Sequence, residues 1–202
     1  MSLFLSWVVI LLIGVTSVGV LLARDWRWLI IFLAIQYIGV FVLVLEHWTL
    51  GMATVKVIAG WMGAAILGMT RSNLIEEEEN QNAPPQGRFF RLVAAGVVGL
   101  IAITGAPVVG SIMANAGTVV STGSLLLIGM GLLHLGVSDE AMRVTISLMT
   151  LLAGFEILYA AVETSVLVAA LLATINLGLA LAGSYLMIAS SAREEDGTEE
   201  TV

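Results

Sequence analysis

The sequence predicts an all-α integral membrane protein of seven transmembrane helices, N-terminus outside and C-terminus cytoplasmic. Three observations carry this. The 202 residues are 59% hydrophobic and only 11% charged, with a mean hydropathy of +1.03. A water-soluble domain is about half apolar and about a quarter charged, because its surface must be dressed in charge. The apolar residues gather into seven stretches, each near the roughly 20 residues that a helix needs to cross a hydrocarbon core. And every arginine falls at the same end of those stretches.

Taken in order, the stretches are 3–23, 28–45, 49–70, 90–109, 118–137, 143–162 and 164–189. The first lacks a basic leader and a small-residue cleavage site, so it is expected to be a span and not a signal peptide. Short polar breaks separate the others: "RDWR" before the second, "EHW" before the third, "SDEAMR" before the sixth. The one long break, 71–89, is charged and carries a Pro-Pro pair, which predicts an exposed loop. Arg24 and Arg27 follow span one, Arg71, Arg88 and Arg91 flank the long loop, Arg143 follows span five and Arg193 follows span seven. With seven spans these share one side, and the positive-inside rule makes that side cytoplasmic. A multi-pass protein of the cell inner (cytoplasmic) membrane is expected. Trp26 and Trp28 then lie at the inner boundary and Trp48 at the outer one, where indoles favour the interface.

Composition also excludes chemistry. With no cysteine there is no disulfide, iron–sulfur or thiolate site. The two histidines, His47 and His134, sit in different segments, and no phosphate- or dinucleotide-binding glycine loop precedes a suitable helix. No cofactor and no metal are expected. The net charge of −7 rests largely on two polar runs, "EEEE" and "EEDGTEE", most simply solvated. No nucleic-acid surface is indicated; the bilayer is the expected surrounding.

Two charges remain inside spans: Lys56 in the third and Glu156 in the sixth. A charge near mid-bilayer costs several kcal/mol unless it is offset. At 1.5 Å per residue, Glu156 lies about 20 Å beyond Arg143 and about 10 Å short of Glu163, and Lys56 about 13 Å beyond His47. The two charges share a depth in the outer half and can pair if spans three and six are neighbours. Two readings stand side by side. One is a structural ion pair that fixes helix register; such pairs gain little stability once desolvation is counted. The other is a hydrated proton or ion path, the usual meaning of ionisable groups at this depth. A carboxyl balanced between desolvation and a neighbouring ammonium changes protonation when that neighbour moves. Glu163, seven residues on and nearly on the same face, is a candidate outer end of the relay. Thr174, Asn176, Tyr159, Gln36, Tyr37 and His134 are candidates for holding water or bonding across helices. Gly60, Gly63, Gly129 and Gly131 are expected at close helix contacts.

Spans one to three can be laid over spans five to seven. "LLIG" at 11–14 meets "LLIG" at 126–129, Gly39 falls on Gly154 and Phe41 on Glu156. With a small shift, Gly60 falls on Gly178 and Lys56 on Thr174. Both triplets begin on the same side, a parallel repeat with span four as connector. The expected organisation is a three-helix unit at 1–70, a charged loop at 71–89, a connecting helix and outer loop at 90–117, a second three-helix unit at 118–190 and an acidic tail at 191–202.

The stretch "GLLHLGVSDEAMRVTISLMTLLAGFEILYAA" together with "TINLGLALAG" resembles the three-helix K-type (4L) subunit of respiratory complex I. The likeness lies in the short basic turn, the G-F-E-I-L segment and the G-L-A-L segment. With four further N-terminal spans and a lysine in the third, the chain is similar to component E of hydrogenase-4 type membrane-bound hydrogenases, and more distantly to the C-type subunit of multisubunit sodium/proton antiporters. The resemblance places the family glutamate on Glu156. It implies a non-redox membrane-arm subunit of a complex I-like or group 4 hydrogenase-like pump, packed against antiporter-like and other membrane subunits and not itself catalytic. One position departs: the family's second acid, four residues before the glycine of G-L-A-L, is Thr174 here. The residues alone leave open a stand-alone ion or solute permease and a scaffolding subunit without conduction.

Overall fold

The computed structural model describes residues 3–74, 86–113 and 116–199. These form seven helices: α1 Leu3–Leu22, α2 Trp26–Val44, α3 Leu50–Asn73, α4 Gln86–Ile112, α5 Gly117–Val137, α6 Ala141–Val162 and α7 Val166–Glu199. Each holds a segment long and apolar enough to cross a membrane. Breaks fall where the sequence turns polar. Asp25, Thr49, Ser138 and Glu163 adopt extended backbone at helix ends. Gly117 opens α5 at φ +59, a left-handed conformation that glycine adopts without strain.

Two helices, α4 and α7, run well beyond what the sequence pattern predicts, while the others match within about two residues in length. α4 begins at Gln86 and ends at Ile112, because nothing in "QGRF" stops a helix once an apolar run follows. α7 stays helical through the acidic run to Glu199, its membrane-length part ending at Ala192. Of the charged loop, residues 75–85 lie outside the described residues, as do 200–202 of the tail.

The helices stand in two facing rows. α1, α2 and α3 pack in sequence as one row and α5, α6 and α7 as the other, with α1 against α5, α2 against α6 and α3 against α7. α4 closes one end of the block, touching α5 and α1. The repeat seen in the sequence has a packing counterpart. A methyl built on Gly39 would meet the Ile13 side chain, and one built on Gly154 would meet Ile128. Both glycines and both isoleucines are 115 residues apart (154 − 39 and 128 − 13). The third helices do not match: Gly60 sits under the Tyr37 ring, whereas Gly178 faces open space.

Polarity runs inside-out relative to a water-soluble domain. Leu11, Leu100, Ile101, Ile112, Val166 and Leu167 are exposed on the outside, while Lys56, Glu156, Gln36, Asn176 and His134 are buried. Chains in water expose apolar atoms, but they seldom bury Lys or Glu. At the arginine end, Arg143 donates to the Ala23 and Arg24 carbonyls at 3.0 and 3.1 Å and pairs with Glu140 at 2.9 Å. Arg91 reaches the Leu21 carbonyl at 3.4 Å. Helix C-terminal carbonyls have no partner within their own helix, and these two arginines supply one for the end of α1. At the opposite end, the Trp48 indole N–H donates to the Glu163 carbonyl at 2.9 Å, tying the α2–α3 turn to the end of α6.

Candidate functional site

The site lies where α2, α3, α6 and α7 form a square. Its sides are the packed pairs α2–α3, α3–α7, α6–α7 and α2–α6, so α3–α6 and α2–α7 are its diagonals. Polar side chains span both. Lys56 of α3 and Glu156 of α6 form an ion pair across one diagonal. Across the other, Tyr37 of α2 and Asn176 of α7 hydrogen-bond through the phenol oxygen and the amide at 2.9–3.0 Å. Glu156 lies close enough to Tyr37 for its charge to act on the phenol.

Local sequence explains how the four meet. Lys56 is six residues past Leu50 and Glu156 six residues before Val162, so both stand at one level. Gly60 is one turn beyond Lys56 and lies directly beneath the Tyr37 ring; any side chain there would displace the ring. Gly63, a further turn along, faces Met149 and Ala180, which keeps α3 near both α6 and α7. Glu156, Asn176, Lys56 and Tyr37 are at most 1% exposed.

The arrangement permits specific chemistry. As ammonium and carboxylate the pair is neutral overall. A proton passing from Nζ to the carboxylate leaves amine and carboxylic acid, also neutral, so the interior gains no net charge. One proton taken up from outside leaves ammonium beside carboxylic acid. Interactions between such groups are strong because the surroundings polarise weakly.

The remaining candidates divide. Gln36, one residue from Tyr37, is buried and its amide has no hydrogen-bond partner among the described residues. His134 is buried toward the arginine end, beside the Ser17 backbone. Thr174 faces outward and gives its hydroxyl to the Ala170 carbonyl of its own helix. The structure thus puts Asn176, not position 174, inside. Tyr159 is partly buried against Phe155, ring centroids 6.3 Å apart. Glu163 is exposed at the end of α6, its carboxylate accepting from the Thr164 N–H at 3.2 Å, apart from the central four. Among the described residues, no three His, Asp or Glu side chains gather as a metal site would require.

Ser17 and Thr150 were not singled out from sequence. Both are buried with hydroxyls that find no partner among the described residues. Sequence carries no sign of this, since hydroxyls in helices commonly bond a carbonyl one turn back. Thr16, next to Ser17, does so with Leu12 at 2.8 Å.

Comparison with protein-family models, with curated proteins and with solved structures finds no match.

Proposed function

We propose that this chain is a non-redox membrane subunit of a redox-driven proton or sodium pump, in which Lys56 and Glu156 form an intramembrane relay. The observation that carries the reading is the ion pair itself, buried between two apolar helices at one level of the bundle. A pair of this kind is a poor device for stability alone and a usual mark of proton and ion paths. The resemblance of the segment around Glu156 to the K-type subunit supports the same reading. In it, the chain sits in the cell inner membrane with its arginine end cytoplasmic and its N-terminus outside. It packs against antiporter-like subunits, and the apolar outer faces of α4 and α7 leave surface for lipid and partner helices. Electron transfer elsewhere in the assembly moves charges near the pair, and Glu156 takes up or yields a proton in response.

Two experiments test this. The first is purification of the tagged chain from its native membrane. Large antiporter-like subunits and a redox module should accompany it; a homo-oligomer on its own would favour a permease. The second is Glu156→Gln, which keeps an acceptor for Lys56 but cannot carry the charge. The complex should assemble while coupled pumping falls. Unchanged pumping in the assembled complex would remove the relay and leave a scaffold.

A further inference from the structure

The block contains a second square, formed by α1, α2, α5 and α6, which shares its α2–α6 wall with the square around the ion pair. Each of its four helices contributes a buried polar side chain with an atom that finds no partner among the described residues: Ser17 from α1, Gln36 from α2, His134 from α5 and Thr150 from α6; a second on α5, Ser121, lies beside Gly110 of α4 instead. A buried hydroxyl or amide without a hydrogen bond loses its hydration with nothing to replace it, and native interiors rarely carry such groups unpaired. Four such groups on the four helices that enclose one cell call for a common partner.

Their levels are graded. From the outer helix ends, Gln36 is eight residues before Val44, Thr150 twelve before Val162, Ser17 fourteen past Leu3 and His134 seventeen past Gly117. At 1.5 Å per residue these depths are about 12, 18, 21 and 26 Å, against about 9 Å for the ion pair. Along the helix axes each step is about 3–6 Å, a rise that one or two water molecules cover with hydrogen bonds of about 2.8 Å while also bridging sideways between helices. The series ends at His134, where Arg91 and Arg143 are near enough for their charge to act on the ring. Toward the other end the cell is filled by apolar contacts: the Leu43 and Ile13 side chains press on Gly123.

We propose that bound water fills this cell from the arginine-bearing end, along His134, Ser17, Thr150 and Gln36, and gives the Lys56–Glu156 pair proton access from that side only. The idea deepens the relay reading and rests on it. A proton taken up by the Glu156 carboxylate comes from the nearest water of the file. That water is reprotonated by the next, and the last by the bulk.

The chain has no cysteine of its own, so single thiols can be placed cleanly. Ser17→Cys and Thr150→Cys in the full chain, in sealed vesicles, are exposed to silver ion from either side, and the surviving thiol is counted with a maleimide after unfolding. Leu67→Cys, fully buried on α3 outside this cell, is the control. Both test thiols should be lost at least tenfold faster than the control when silver is on the arginine-bearing side, and no faster than the control when it is on the other. Rates equal to the control from both sides, or faster loss from the opposite side, would overturn the proposal. Should a variant fail to elute as the native protein does, radiolysis of the unmodified chain in oxygen-18 water reads the same feature. Labelled oxidation of the buried His134 is expected, and its absence counts against the file. Neither assay needs a partner subunit or pumping. Unreactive thiols with pumping lost in Glu156→Gln would discard the water file and keep the relay; reactive thiols with unchanged pumping would do the reverse.

Discussion

At the centre of the molecule the Lys56 ammonium and the Glu156 carboxylate are each other's counter-charge, with 1% and 0% of their surfaces exposed. Removing one partner strands the other. Glu156→Leu is therefore expected to lower stability by about 3–5 kcal/mol, and adding Lys56→Met should restore most of it, since two apolar residues leave nothing unpaired. Reversible unfolding in mixed micelles measures both; a double variant as unstable as the single would mean that packing, not charge, governs the site. The other diagonal is weaker. Tyr37→Phe leaves Asn176 without its partner and should cost about 1 kcal/mol, the scale of hydrogen bonds between membrane helices. Tyr37→Phe with Asn176→Leu should cost less than the two single effects added.

Among the elements, the α5–α6 contact depends on two glycines. A methyl on Gly131 would lie 2.8 Å from the Leu151 backbone nitrogen, and one on Gly154 2.8 Å from the Ile128 nitrogen. Backbone cannot swing aside as a side chain can, so the helices must part. Gly131→Ala and Gly154→Ala are each expected to destabilise by about 1–3 kcal/mol, the usual penalty of overpacking. Gly136→Ala meets open space and should be neutral or mildly stabilising through helix propensity. The start of α6 is anchored differently: Arg143→Gln loses both bonds to the end of α1. Faster hydrogen exchange at residues 19–27, with the α3 core unchanged, is the expected signature.

For the whole molecule, the arginine asymmetry makes the orientation testable. An impermeant maleimide should label Asp139→Cys, in the α5–α6 turn, only from the cytoplasmic side, and Glu46→Cys, in the α2–α3 turn, only from outside. Labels on the reversed sides would invert the topology and with it the direction of proton access. Much of the architecture was legible beforehand because a bilayer enforces a simple rule. Every span must be long, apolar and helical to satisfy its own backbone, so seven runs of sequence become seven helices with ends a few residues off, except that α7 continues ten residues further, to Glu199. The same rule exposed Lys56 and Glu156, since a charge in such a run stands out. It could not flag Ser17 or Thr150, whose hydroxyls are as compatible with a span as those of Thr16 or Thr174.

The chain's order of residues thus determined the helices, their number, the arginine-rich end and the pair of buried charges, because each follows from length and polarity along one helix. The three-dimensional arrangement decided which helices face one another: two rows in register, Tyr37 reaching Asn176 over Gly60, Thr174 turned outward and Asn176 turned in. Apolar helices attract any apolar neighbour about equally. Partner choice therefore rests on a few glycines and on hydrogen bonds such as Tyr37–Asn176, 139 residues apart, whose meeting becomes visible only once the bundle has formed.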